Sequence, residues 1–354
     1  MDEEQSFCDK IRIEDSDYCL AYCFRLVNHL YRANFSIWAL QQALCCETGQ
    51  YKNIRIHDGI AVIKTDNCAI SLAGYKNVLP KTRIAFNADF FRILDLMSIV
   101  YCFAKSCSDR IITIVLSALD YLELRGIDGT PANRYNARKT IATALNLLDA
   151  ITISSKEFDA KLINGYCRSG DSFQVKLSDP CSRSFHADTL KMKYPMFLFQ
   201  ADENNCNQYA YILGHKLAET GTRAINRNRG PNNTISIRSL LAVCPALMQK
   251  AVIDDKNPKN LYKNIFVPIE GALNCLLDAG VLSMPAKYEF DGKELTASEM
   301  QPVLSRMSFS TFQDIKVRFA LEGVPNPYHL SLPPQALNVP TDKNKLSQNK
   351  VGCD

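Results

Sequence analysis

What this sequence lacks narrows its reading before any motif does. No stretch of the 354 residues approaches 18 consecutive apolar positions, which speaks against a membrane span. The five histidines, His29, His57, His186, His215 and His329, are isolated, with no His-x-His, so a metal-dependent nuclease with a tyrosine nucleophile finds no ligand pair. A Gly-x-x-x-x-Gly-Lys phosphate loop is missing. The single tryptophan, Trp38, lies among Phe35, Ile37 and Leu40 and reads as core, not as a ligand platform. The Met-Asp-Glu-Glu start has no basic region leading into an apolar segment, so no secretory signal is expected, and the thiols should be reduced. Of the 14 cysteines, the close pairs Cys19 and Cys23, Cys45 and Cys46, and Cys102 and Cys107 do not combine at zinc-site spacing. These absences point to a cytoplasmic protein that is not an enzyme, needs no metal or cofactor and has no membrane partner.

What is present is an ordinary globular composition, 47% hydrophobic and 22% charged, long enough for two or three domains. A net charge of +4 is only mildly basic, so a nucleic-acid surface must come from local clustering.

The stretch from Asp109 to Lys176 reads as a winged helix. The β-branched run Arg110 to Ile114 predicts a short strand, and Ser117 can cap a brief helix from Ala118 to Arg125 that Gly126 stops. After the Asp128-Gly129 turn, Thr130 as N-cap and Pro131 at the first helical position predict a long helix to about Asp149, with Ala137, Ile141, Leu145 and Leu148 facing inward. Asn87 to Ala104 is apolar enough for a buried helix closing the core beneath. Ile151 to Ser154 and Phe173 to Leu177 are expected to flank a wing.

At 100° per residue, Asn136, Lys139, Thr140 and Thr143 face outward on the long helix, and Asn133, Arg134 and Tyr135 lie in its first turn. A recognition helix meets base edges there, and arginine and asparagine can bond bidentately to guanine and adenine. A merely solvated polar face has the same pattern. From Arg125 to Lys176, eight lysines and arginines stand against five acids, and Lys156, Lys161 and Arg168 fall in the expected wing, suited to phosphate contact.

A second unit repeats the first. Ala144-Leu145-Asn146-Leu147-Leu148-Asp149-Ala150 is echoed by Ala272-Leu273-Asn274-Cys275-Leu276-Leu277-Asp278-Ala279, with a strand expected after each, here at Gly280 to Ser283. Reading back, Leu261 to Asp278 predicts a long helix, Arg238 to Val243 a short one, Thr234 to Ile237 a strand and Asn207 to Ala224 a first helix, with Thr311 to Arg318 as last strand. Pro268 should kink the long helix or mark its start. The basic character of this unit lies in Arg223, Arg227, Arg229 and Arg238 around an acid-free loop, with Lys259 and Lys263 outward on the long helix. Phosphate or minor-groove contact suits that loop, as does an ordinary solvated surface.

The fold class expected is mainly α with small β-wings (α+β), as two tandem winged helix-turn-helix domains. Residues 1–80 form an N-terminal segment of unassigned fold and function, 81–200 the first domain, 201–332 the second, with a partly buried hinge between them, and 333–354 a tail too polar to fold.

The pattern resembles plasmid and mobile-element replication initiators with tandem winged helices over about residues 87–330. The likeness is carried by Ala118 to Gly126, Ala144 to Leu148, Gly214-His215-Lys216-Leu217-Ala218, the Arg227 to Asn233 loop and Ser236 to Leu241. It implies sequence-specific binding of double-stranded DNA at repeated origin sites, local duplex opening and recruitment of a host helicase or helicase loader, without covalent chemistry, and it leaves room for a homodimer. A winged-helix transcriptional regulator and a protein-interaction scaffold on the same fold are the alternatives.

Overall fold

The computed structural model describes residues 18–21, 54–64, 68–79, 87–104, 112–155, 159–186, 192–201, 209–226, 233–244, 247 and 259–321. The readings of Trp38, Lys156, Arg227, Arg229 and the 333–354 tail lie outside the described residues.

Strand β1 (Tyr18–Ala21) is followed by β2 (Ile54–His57), β3 (Ile60–Lys64), β4 (Cys68–Ala73), a single helical turn at Tyr75–Val78 and helix α1 (Ala88–Ala104). Then come β5 (Thr113–Ser117), α2 (Ala118–Leu124), α3 (Pro131–Ala150), β6 (Ile151–Ser155), β7 (Asp159–Lys161), β8 (Ile163–Ser169) and β9 (Ser172–Leu177). The chain continues through α4 (Asp179–His186), β10 (Met192–Pro195), a 3-10 segment (Met196–Gln200) and α5 (Ala210–Asn226). Next are β11 (Thr234–Ser236), α6 (Ile237–Leu241) and α7 (Val267–Asp278). Last come β12 (Lys287–Phe290), β13 (Lys293–Leu295), α8 (Ala297–Leu304), α9 (Phe309–Asp314) and β14 (Lys316–Arg318). The class is α+β.

The local signals explain the helices. Asn87 Oδ1 accepts from the Phe90 amide at 3.0 Å and starts α1. Ser117 caps α2 through the Leu119 and Asp120 amides, and Thr130 caps α3 with Pro131 in its first turn. Gly126 takes φ +64° after α2, while the Ile127 amide reaches back to the Leu122 carbonyl and the Gly126 amide to that of Glu123. That pair of bonds is a Schellman stop, whose left-handed residue favours glycine.

Two strand arrangements differ from the expectation. Ile151 to Ser154 does not flank the wing: β6 pairs antiparallel with β4 (Ile70↔Ile153) in a five-stranded sheet ordered β2-β3-β4-β6-β7. β8 and β9 form a hairpin, and β9 also pairs with β5 in the order β5-β9-β8. Alternation alone tells which face of a strand is buried, not which strand it meets. In the second unit, Gly280 to Ser283 contributes only an isolated bridge, Leu282 with Leu321, and Thr311 to Asp314 lies within α9, leaving β14 just three residues. The presumed hinge contains helix α4 and the 3-10 segment.

The two units nevertheless share a detailed join between strand and helix. Ser117 and Ser236 both end a strand and cap the helix that follows. The first helical amide donates in both units to the carbonyl just before the last strand, Ala118 to Asp171 and Ile237 to Ile315, each at 2.9 Å. The capping serines face Ser172 and Lys316, the first residues of β9 and β14. Upstream of α7, Tyr262–Phe266 is π-helical, and Pro268 sits in the first turn of α7. Proline lacks an amide and crowds the carbonyl four residues back, and a π segment ahead of it relieves that conflict.

Helix α1 is apolar nearly all round, with Phe91, Ile93, Leu96 and Met97 fully buried, and it carries polar groups inward too. Asp89 Oδ1 lies 3.5 Å from Arg92 and Arg125 guanidinium nitrogens and accepts from the Tyr121 hydroxyl at 3.2 Å, tying α1 to α2. Burial foremost, then the Asp89 charge, pushes the Tyr121 phenol up to about 12. Six residues on, buried Asp95 accepts from the Tyr211 hydroxyl and lies 3.3 Å from His215 Nε2, both on α5. Arg92 donates to the Ala201 carbonyl at 2.8 Å and sits 4.4 Å from the Tyr211 ring centroid. Helices α1 and α5, each the first helix of its unit, thus meet through a buried polar network. His215 is therefore a packed core residue.

Gly214 lets α5 approach its neighbours: a Cβ there would lie 2.5 Å from Leu198 Cδ1 and 2.7 Å from Leu276 Cδ2, both side chains fully buried. Gly214→Ala is expected to cost about 1–3 kcal/mol through overpacking, read from the midpoint of a urea titration. Asp95→Ala, which strands the opposing groups of a buried pair, should cost about 3–5 kcal/mol in the same titration. A loss below about 1 kcal/mol for Asp95→Ala would show that water replaces the carboxylate.

Candidate nucleic-acid interface

Helix α3 presents its faces as its spacing requires. Ala137, Ile141, Ala144, Leu145, Leu147 and Leu148 are buried, while Tyr135, Asn136, Lys139, Thr143 and Asn146 are exposed. The exposed positions follow the three- and four-residue steps of one ridge. From Tyr135 to Thr143 the ridge is roughly 12 Å long at 1.5 Å per residue. A helix with its side chains is about 10–12 Å across, a width that a B-DNA major groove of about 12 Å admits.

The first turn of α3 is more occupied than its sequence suggests. The Asn133 amide donates to Thr130 Oγ1 at 3.3 Å, and its side-chain Nδ2 donates to the Asp128 carbonyl at 2.9 Å. This bond closes the turn that leads into the helix. The Arg134 and Arg138 guanidiniums both lean toward Asp171 in the β8–β9 turn, at 3.6 Å and 2.8 Å. Thr140 is half-buried, and Thr143 Oγ1 donates to the Lys139 carbonyl at 2.8 Å. Lys139 faces solvent and makes no ion pair with a described acid.

The hairpin stands beside this helix. Its turn is Gly170-Asp171, with Gly170 at φ +60°, and Ser169 faces Ser172. Arg168 is exposed near the tip, its Nε donating to the Gly170 carbonyl at 3.0 Å and its guanidinium 6.0 Å from the Phe173 ring centroid. Tyr166 on β8 donates to Asn146 Oδ1 at 2.9 Å and so fastens the hairpin to the far end of α3. Lys161 lies on β7 and pairs with Asp149 at 3.7 Å. Both line an open cleft of about 670 Å³ that also takes in Thr143, Asn146, Asn77 and Gly74. The outward ridge of α3 runs into that cleft, which the 73–78 turn bounds on its other side.

In the second unit the described basic side chains are largely matched by acids. Arg238, exposed on α6, lies 2.7 Å from Asp314. On the sheet, Glu294 is 2.6 Å from both Lys287 and Arg318, and Lys316 is 3.2 Å from Glu289. Hydrogen bonds from Lys287 and Arg318 hold the Glu294 carboxyl below the usual carboxylate range. Lys263 is exposed in the π-helical stretch. Arg223 lies on α5 and Lys259 opens the single α-turn before the π segment; the side chains of both fall outside the described residues.

Two more residues bear on this face: Tyr135, which the sequence places in the first turn of the helix, and Asp171, which it does not single out. Tyr135 is 61% exposed, the most exposed large hydrophobic side chain among the described residues, and it sits at the start of the ridge. Asp171 gathers both arginines of α3, which no spacing rule relates to a residue 33 positions away from Arg138. A Gly-Asp dipeptide between alternating strands was the available signal for its turn.

No described helix is long and apolar enough to cross a membrane. Among the described residues no three histidine, cysteine or acidic side chains group as a metal site. No family model and no curated protein sequence matches the chain. Solved structures similar to it include the Pi initiator protein in complex with iteron DNA, at 14% identity and a TM-score of 0.41, over 68% of this chain and 93% of that one. A likeness of that size decides neither family nor activity.

The capping geometry sets where α3 begins and hence where its ridge points. Thr130→Ala should cost about 0.5–2 kcal/mol in a urea titration; no change would mean that Pro131 and the Asn133–Asp128 bond suffice to define the first turn.

Proposed function

We propose that this chain is a sequence-specific double-stranded DNA-binding protein that initiates replication at repeated origin sites, acting by binding and not by bond-making chemistry. Each unit is read as a winged helix-turn-helix: α2 and α3 form the first pair, and the β8–β9 hairpin is its wing. The observation that carries this reading is the exposed ridge Tyr135, Asn136, Lys139 and Thr143 on a well-capped helix beside a hairpin with an exposed arginine. In that arrangement α3 enters the major groove, Asn136 suits an adenine edge, and Arg168 meets the backbone. Arg134, engaged by Asp171, is left out of base reading. The resemblance to plasmid initiators and the duplicated strand-to-helix join support two modules on one chain, which suit directly repeated sites of ~20 base pairs, about two duplex turns. The second unit, with its matched charges, is read as the weaker partner on DNA.

Binding to mixed-sequence duplex across a salt series, followed by selection from a random duplex library, tests this. Affinity is expected to fall linearly with log salt, at a slope of about −0.9 per phosphate contact. Selected sites in direct repeat favour initiation; a lone palindrome favours a regulator. Absence of binding even at low ionic strength would overturn the DNA reading and leave a protein scaffold. Asn136→Ala should lose about 1–3 kcal/mol of discrimination between selected and random DNA, while Arg168→Ala should weaken both alike and lower the slope by about 1. Equal losses on both DNAs for Asn136→Ala would make that residue a backbone contact.

A further inference from the structure

Asp171 occupies the second position of the β8–β9 turn, and two hydrogen bonds and a further ion pair converge on it. Its carbonyl accepts the first amide of α2 at 2.9 Å. Its Oδ1 accepts from Arg138 Nη1 at 2.8 Å, and its Oδ2 lies 3.6 Å from Arg134 Nη1. The carboxylate is only 23% exposed, and Arg138 is 26% exposed, so water screens the pair less than on an open surface. Both arginines are on the face of α3 turned toward the hairpin, next to the ridge that the DNA reading assigns to the groove.

We propose that Asp171 is a positioning residue that withholds Arg134 and Arg138 from the DNA backbone, so that engagement of α3 depends on the Asn136, Lys139 and Thr143 ridge. This rests on the DNA-binding reading and adds to it a source of specificity. Two guanidiniums at the entrance of a reading helix, released to phosphate, would strengthen binding to every sequence equally, because phosphate contacts carry no base information. Held by one carboxylate, they raise neither random-sequence affinity nor its salt dependence, and they set the angle of the hairpin against α3.

The test uses the full-length protein, with duplexes of random sequence and duplexes selected by the wild type. Asp171→Asn keeps the shape of the side chain and removes its charge. It should steepen the log K against log salt slope on random DNA by about 1 to 2, since each new phosphate contact contributes about 0.9. Between 50 and 200 mM salt this is up to a roughly tenfold larger loss of affinity than in the wild type. The selected-over-random ratio should fall. Asp171→Glu should restore the wild-type slope, and adding Arg134→Ala and Arg138→Ala to Asp171→Asn should abolish the gain. An unchanged or shallower slope for Asp171→Asn would overturn the proposal, whether through arginines already on DNA or through lost structure; far-ultraviolet circular dichroism of each variant separates those two causes. If the wild type binds no duplex at low ionic strength, the DNA reading itself fails first, before any variant is compared.

Discussion

A carboxylate buried between two helices constrains this molecule more than any other single group. Asp95 lies on α1 with no solvent exposure, and its partners Tyr211 and His215 come from α5. Desolvating a carboxylate costs several kcal/mol unless donors stand where its oxygens are, so α1 and α5 have few relative placements open to them. Arg92 adds a second constraint, spanning the Ala201 carbonyl and the Tyr211 ring. Gly214, one residue before His215, removes the side chain that would otherwise push α5 away from Leu198 and Leu276. The buried apolar cluster runs through both units, so this polar junction sits inside a continuous core.

The same helix holds α2, and through it α3, in place. Asp89 draws Arg125 and Tyr121 from the end of α2, and the stop at Gly126 then directs the chain into the Thr130 cap of α3. Tyr166 and Asp171 fasten the hairpin to the two ends of α3. The exposed ridge is what remains of α3 after its inner face meets the core and its flank meets the hairpin. Charge follows this division: the arginines of α3 are tied to an acid of the hairpin, and the ridge left facing solvent carries a tyrosine, two asparagines, a lysine and a threonine.

Features set by near neighbours in the chain were legible. The caps at Ser117 and Thr130, the Gly126 stop and the inward stripe of α3 depend on contacts within a few residues. Strand partners were harder to see. The alternation of Ile151 to Ser154 is correct for a strand, yet β6 pairs with β4, some 80 residues earlier. The Asp-Gly pairs at 58–59 and 291–292, both with positive φ at each residue, mark two tight hairpins that the alternating runs around them do not reveal by themselves. In the second unit the repeat of the helix end misled the strand after it: Gly280 takes φ +70° and closes α7 with a Schellman turn, where α3 passes straight into β6. The site was partly legible for the same reason. Helical periodicity places Asn136, Lys139 and Thr143 outward, but it says nothing of an acid across the hairpin, so Arg134 looked available when it is engaged.

The sequence by itself determined where the principal helices start, which face of α3 turns inward, and that one unit is echoed by another, because caps, stops and periodicity are written in residues close together in the chain. Only the tertiary structure decided which strands pair, that His215 and Asp95 meet in the core, and that Asp171 draws two arginines of α3 toward the hairpin. Those outcomes depend on groups brought together across tens of residues, where burial and electrostatic geometry set the result and local propensity does not.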